Sequence, residues 1–525
     1  MRKIGLLGLL VSFAIGSAAV AADPPNPQAQ PAGVQERVNP GMQAQTGKFV
    51  DRGGRVFNVQ AYGAVVDGRK DVTASFAAAF ADAEATGGCV FIPPAPHVGG
   101  VGYVVNSPRS GTVSTNGTTV TRVSGAPFVG GSAWLDLPIV INGVTYQIAS
   151  VTNSNTLILT GSAATQSGVN WSMGVFSFKR PICIEGGTGG GLYGTTLITN
   201  YCANCDLFDF AQGSQGSRIQ GLSLRSGGNP TQGAGIVVDF NASKDADALC
   251  QITISDMSIS HFWDGIVAPR GNRNNGVYMT RINSVANLHS GMTIHGGLAY
   301  YLNQSQFLGD GLYDIDLEGG AAYWFTDVQA YHGTTGLMIN RTAQVFMENL
   351  VVDTTSSDAI VVQGGSHEIG CTNCWAGGAT GKTPNRGGWS VDLQSTRGFN
   401  WIGGFIRSSW LGGVHIQSGA SKVSIANARI SDNGHNNTSS ICNGVRGACG
   451  VLVDEGASYF QILNNQIGVD DGDTAGEQLV GVAVASGASD HYQILGNLNT
   501  DPAHVSTNFI VDRGSGAHKS VANNN

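Results

Sequence analysis

Five side chains able to move protons or hold charge fall in the middle of this sequence: His295, Tyr313, Asp314, Asp316 and Arg341. An imidazole, a phenol and two carboxylates can serve as general acids and bases. A guanidinium beside them can bind a carboxylate or stabilise a developing negative charge. These residues are far apart in the chain, so they make a site only if the fold returns to one place at regular intervals.

The surrounding sequence does repeat. A small residue and glycine followed by alternating apolar residues recur as AGIVV at Gly235, DGIVA at Gly265, SGMTI at Gly291, DGLYDI at Gly311 and TGLMI at Gly336. The phrase continues as GGWSV at Gly388, GGVHI at Gly413, CGVLV at Gly450 and VGVAV at Gly481, with a degenerate copy at Ala359. A second phrase, apolar-x-Asn/Asp-x-x-apolar, places Asp256, Asp327, Asn349, Asn373, Asn427 and Asn464 at one recurring point. Arg281, Gln304, Gly404 and Gly496 hold the same point in weaker copies. The intervals from 256 to 373 are 25, 23, 23, 22 and 24 residues, and later ones stretch by loop insertion. A period near 23 with two or three short strands is one coil of a parallel β-helix, whose coils bury their inward faces only by stacking. Asn and Asp tolerate the left-handed backbone of a sharp corner and can hydrogen-bond from coil to coil.

An open β-helix end exposes apolar core and unpaired backbone. The stretch 72–86 can close it, because Val72, Phe76, Ala79, Phe80 and Ala83 follow helical spacing. Asp71 is the expected N-cap and Gly87 the stop. Residues 107–175 break the repeat with alternating strands and N-G or S-N turns, the pattern of a small all-β module inserted into an early coil. Its aromatics Trp134, Tyr146 and Trp171 suit core packing better than sugar stacking. The expected organisation is therefore 1–22 signal peptide, 23–50 flexible lead-in, 51–106 cap and first coil, 107–175 inserted module, 176–500 β-helix and 501–525 C-terminal tail.

Composition narrows the classes. Of 525 residues 76 are glycine, charged residues make up 12%, and the net charge is −8. The balance excludes a disordered chain and argues against a nucleic-acid partner, which would select basic stripes. Arg2 and Lys3, an apolar run to Val20 and the small-x-small Ala19-Val20-Ala21 describe a secretory signal. No later segment is long enough in uninterrupted apolar residues to span a membrane. The expected location is thus periplasmic or extracellular, where disulfides persist. Nine cysteines leave at least one unpaired within the chain; Cys442 and Cys449 are the pair expected to bridge. The C-x2-C pairs Cys202/Cys205 and Cys371/Cys374 lack histidines at zinc-finger spacing and read as buried strand cysteines rather than a metal site.

The segment 57–94 carries FNVQAYGA (57–64), Asp67-Gly68, DVTASFAAAFADA (71–83) and GGCVFIPP (87–94). These residues resemble the pectate-lyase-superfamily domain with its rhamnogalacturonase- and epimerase-like relatives. The usual G-x-G-D-G turn is replaced here by Gly63-Ala64-Val65-Val66-Asp67-Gly68. The resemblance implies an all-β fold, a right-handed parallel β-helix of about 11 or more coils with an N-terminal capping helix. It also implies an exported protein acting on polysaccharide. N-T-D, G-H-G and R-I-K, the catalytic text of pectin hydrolases, are absent.

Within that frame the chemistry sharpens. A glycoside hydrolase commonly uses two carboxylates, about 5–5.5 Å apart if retaining and about 6.5–9.5 Å if inverting. A uronide lyase needs a base beside a carboxylate and a cation to stabilise charge. Counting from each anchoring glycine, positions +1 and +3 face inward and +2 and +4 outward. The +4 column carries His295 and Asp392 and the +2 column Tyr313, while the acidic stretch after Gly311 is shifted in register. His295, Tyr313, Asp314, Asp316 and Arg341 are the expected catalytic patch on three adjacent coils, with Asp392, Arg270 and Arg273 as substrate contacts. Asp470, Asp471, Asp473 and Glu477 offer oxygen donors for Ca2+, without the spacing of a helix–loop–helix site; no other cofactor is expected. A non-catalytic carbohydrate-binding β-helix, trimeric like the tailspikes, is the alternative.

Overall fold

The computed structural model describes residues 48–51 and 54–525, apart from 95–101, 106–109, 126, 129–137, 143, 174–175, 188–195, 202–204, 241–248, 270–273, 382–386, 435–440, 443–444, 447, 470–477, 488 and 503–508. Strands stack into one thirteen-stranded sheet and one twenty-seven-stranded sheet. Pairing along both is parallel, except where Lys48–Asp51 runs antiparallel to Gly54–Asn58. One coil places Ser290–Ile294 in the first sheet, then Leu298–Asn303 and Gln306–Leu308 in the second. The next coil repeats it with Tyr313–Glu318, Ala321–Thr326 and Gln329–Tyr331. Equivalent residues pair in line: Met292 on Ile315 on Leu337, and Leu302 on Phe325 on Met347. The chain is a right-handed parallel β-helix, as parallel crossover connections require.

The stacking explains the sequence period. Inward residues such as Met292, Ile294, Ile315, Leu317, Leu337 and Ile339 form continuous buried columns. Burial at roughly 25 cal/mol per Å² makes each coil depend on its neighbours. All ten corner residues, from Asp256 to Gly496, have φ between +49° and +70°. Asn349 Nδ2 donates to Asp327 Oδ1 at 3.0 Å, and Arg281 binds both oxygens of Asp256 at 2.6 and 2.8 Å. One position later a buried amide ladder runs along the core, Asn465 to Asn497 at 3.0 Å and Asn497 to Asn524 at 2.9 Å. A further left-handed column, Ala299, Ala322, Gln344, Glu368, Lys422, Tyr459 and His491, has no common residue type and left no mark in the sequence.

Helix α1 (Thr73–Thr86) closes the N-terminal end. Phe80 packs on Phe176, Phe178 and Phe208 at ring-centroid distances of 4.8, 5.2 and 6.1 Å. Gly87 ends the helix at φ 72°, its N–H donating to the Ala83 carbonyl at 2.8 Å. The cap position is Val72 rather than Asp71; the Asp71 carboxylate instead accepts from the Thr73 N–H at 2.9 Å. Between Ser110 and Met173, four strands form a separate antiparallel sheet with its own core, in which Trp171 is buried against Phe128. Trp134 lies outside the described residues.

Disulfides join Cys89 to Cys183, Cys371 to Cys374, and Cys442 to Cys449. Cys205 is also disulfide-bonded, whereas Cys250 is free and buried. The C-x2-C pair at 371 is therefore a bridge across the Asn373 corner, not a pair of buried thiols. Among the described residues no helix is long and apolar enough to cross a membrane.

Candidate active site on the thirteen-stranded sheet

The outer face of the thirteen-stranded sheet gathers most of the candidate residues, but in a different register from the glycine count. Gly265, Gly291, Gly336, Gly413, Gly450 and Gly481 occupy one column where the backbones of adjacent coils approach closely. A Cβ on Gly413 would stand 2.4 Å from the Gly450 carbonyl oxygen. In the coil after Gly291 this column is held by Asp314, not Gly311, because Ser290 pairs with Tyr313 and Met292 with Ile315. In the coil before Gly413 it is held by Ser390, not Gly388. Nearby glycines in turns mimicked the anchor and displaced the count by three and two residues.

This shift moves the carboxylates. Asp314 does not face outward: it is fully buried, accepting from the N–H groups of Asp310 and Gly333 at 3.2 and 3.3 Å. Burial holds its carboxyl well above the usual range. Asp316 keeps the outward side, between Thr293 and Met338, but is covered. Tyr313 stands at the opposite end of its strand from Glu318, edge-on to His289 at 6.2 Å. His289 stacks on Trp263 at 5.0 Å, and its Nδ1 lies 2.7 Å from Asp264 Oδ1. That carboxylate raises the imidazole above its ordinary value against the opposing effect of burial.

Glu318, which the glycine count missed, takes the place beside His295. Glu318 Oε2 lies 3.2 Å from His295 Nδ1 and 4.0 Å from Arg341 Nη2. The three residues come from successive coils: Asn340 pairs with Glu318, and Arg341 follows it at a left-handed corner with φ 53°. The His295 and Glu318 side chains are each 22% exposed and Arg341 is 63% exposed, so the row opens to solvent. The sequence held one usable signal, since Asp316 and Glu318 share the strand parity of Thr293 and His295. His295 and Arg341 are thus brought together, whereas Tyr313 and Asp314 are not part of the row.

A second polar cluster lies further along the same face. Asp392 is opposite His415, in the outward +2 column rather than the +4 column expected for it. His415 Nδ1 is 3.1 Å from Asp392 Oδ1, and its Nε2 is 3.1 Å from Asp454 Oδ2. Burial works against the imidazolium, but the two carboxylates outweigh it and lift His415 to about 9. Gln417 Nε2 reaches both Asp392 oxygens at 2.8 and 3.0 Å, and Trp389 stacks on the His415 ring at 4.7 Å. Behind it Asp358 accepts from the Gly388 and Trp389 N–H groups at 2.7 and 2.8 Å, and burial raises its carboxyl to about 6. Arg270, Arg273 and the acidic residues 470, 471, 473 and 477 lie outside the described residues.

No protein-family model matches the chain, and no curated protein does. Solved structures similar to it include the A-module of the Azotobacter vinelandii mannuronan C-5 epimerase AlgE4, with 15% identity over 89% of this chain and 99% of that one, at a TM-score of 0.47. Tailspike protein 3 of bacteriophage CBA120 is 10% identical over 89% of this chain and 61% of that one, at 0.49. Tailspike gp49 of Pseudomonas phage LKA1 is 12% identical over 88% and 84%, at 0.36.

Proposed function

We propose that this chain is an exported protein that acts on an acidic polysaccharide by taking a proton from a sugar carbon beside the carboxylate. The observation that carries the reading is the row His295–Glu318–Arg341 on three successive coils, open to solvent on one sheet face. Glu318 orients the imidazole through Nδ1 and favours its protonated form as it takes the proton. Arg341 pairs with the substrate carboxylate and spreads the charge that develops on it. The electron pair left by the proton forms a carbon–carbon double bond, the glycosidic bond to the neighbouring sugar breaks, and the departing oxygen receives the proton from the imidazolium. The His415 cluster lies on the same face, so a chain running along the helix axis meets both. Polysaccharide as substrate class rests on the resemblance of residues 57–94, and export on the N-terminal segment 1–22.

Hydrolysis is the second reading. Asp316 and Glu318 are two residues apart on one strand, about 6.8 Å by strand rise, inside the inverting window of about 6.5–9.5 Å. It is less favoured because Asp316 is covered and Glu318 already faces His295.

The test incubates residues 23–525 with acidic and neutral polysaccharides, with and without Ca2+, following ultraviolet absorbance of unsaturated uronides and reducing ends together. A rise in both is expected, with His295→Ala reducing it roughly 10²–10⁴-fold. Reducing ends alone would transfer the chemistry to Asp316 and Glu318. Silence in both across the panel overturns the catalytic reading and leaves binding.

A further inference from the structure

The opposite side of the coil, on the twenty-seven-stranded sheet, carries an aromatic ladder that stops short. Tyr278, Tyr301, Trp324 and Phe346 occupy one outward column on four successive coils. The first three rings stack face to face at 5.0 and 4.7 Å with interplanar angles of 5° and 7°, and Phe346 is tilted by 33° against Trp324 at 6.1 Å. Each ring covers the face of the next, leaving one outer face on each terminal ring: Tyr278, whose next rung on the preceding coil is Thr253, and Phe346. The next rung is Gly370, and the two after it are Asn400 and Ser424.

Gly370 is not demanded by the backbone. It lies outside the left-handed region, and a Cβ there would meet only Phe346 Cδ1, at an ordinary 3.7 Å. Its consequence is an opening one rung deep. Phe346 is 44% exposed and lines a cleft of about 450 Å³. Glu368, Thr372, Asn400 and Lys422 line the rim, supplying a carboxylate, a hydroxyl, an amide and an ammonium.

We infer that this cleft is a sugar-binding subsite, in which one ring of a polysaccharide stacks on Phe346 in the place of the missing rung. A pyranose ring has an apolar face that suits an aromatic ring and an equator of hydroxyls that suits a rim of mixed donors and acceptors. A purely apolar occupant would leave Glu368 and Lys422 facing it without compensation. The subsite lies on a different sheet from His295 and does not depend on catalysis there. A polysaccharide held on this side stays tethered to the protein while another stretch of it occupies the thirteen-stranded face.

The experiment uses the full chain carrying His295→Ala, so that no probe is consumed, and hexamers of galacturonate, mannuronate, guluronate and glucose as probes in titration calorimetry. Gly370→Phe extends the ladder into the opening, and Phe346→Ala removes the platform. Each is expected to weaken the tightest hexamer by at least about tenfold. Gly370→Ala, whose methyl fits without displacement, controls for folding and is expected to bind nearly as the parent does. The inference is overturned if no hexamer binds, or if Gly370→Phe binds as tightly as the parent. It is also overturned if Gly370→Phe instead lowers the molar mass in light scattering at unchanged sugar affinity, which would make the cleft a contact between copies of this chain. Turnover lost in His295→Ala and binding lost in Gly370→Phe are separate readouts, so either reading can fail alone.

Discussion

Replacing Asp310 by asparagine tests how the strand under the candidate site is held. Asp310 lies in the turn before Tyr313–Glu318 and is 1% exposed. Its Oδ1 accepts from the backbone N–H and the side-chain amide of Asn287 at 2.8 and 2.9 Å. Its Oδ2 is buried and makes no hydrogen bond among the described residues. Burial therefore outweighs those donors and raises the carboxyl to about 7. The ordinary value in an unfolded chain is about 3.9. Between those two values the folded chain holds a proton that the unfolded chain releases, so stability contributed by the neutral acid is present below pH 4 and lost as pH rises toward 7. A difference of about 3 units corresponds to about 4 kcal/mol by pH 8. Asp310→Asn keeps the Oδ1 acceptor and cannot ionise. Its stability relative to the parent, from urea midpoints, is expected to improve by about 2–4 kcal/mol between pH 4.5 and pH 8. A difference that does not change with pH, or one that moves in the parent's favour as pH rises, would refute the assignment of a neutral buried acid.

Four further outcomes follow from the same structure. His415 sits at about 9 between Asp392 and Asp454, so its contribution is full below the unfolded value of about 6.5 and fades as pH rises through 9. His415→Gln should cost about 3 kcal/mol at pH 6 and little at pH 10, read as the melting-temperature difference between parent and variant. Phe80→Ala removes the aromatic plug between α1 and the first coils and should cost about 3–5 kcal/mol in denaturant unfolding. Asn497→Ala breaks a buried ladder and strands the donors and acceptors of Asn465 and Asn524, for about 1–3 kcal/mol. Arg281→Ala removes an exposed ion pair with Asp256 and should cost less than about 1 kcal/mol, so comparison of the two separates buried from surface coil contacts.

The sequence by itself determined the coil. A side chain that alternates in and out every residue, returning to the same corner every 23 residues, leaves a periodic record. The Asn and Asp corners from Asp256 to Asn464 stood where a left-handed φ was required, and even Arg281 and Gln304 adopt it there. The apolar face of α1 was equally legible, because Phe76 and Phe80 have no use on a solvent-facing helix. Register was not legible. Close approach of backbones selects a small residue but tolerates Asp314 and Ser390 where local turns make room, while Gly311 and Gly388 serve those turns instead. A slip of three residues puts Asp314 in the anchoring glycine column, where it is buried, and a slip of two moves Asp392 from one outward column to another. Only the tertiary pairing of one coil on the next decided that Glu318, and not Asp314, stands beside His295. The same holds for the disulfide at Cys371 and for the gap at Gly370, since a missing side chain becomes a cleft only when its neighbours are known.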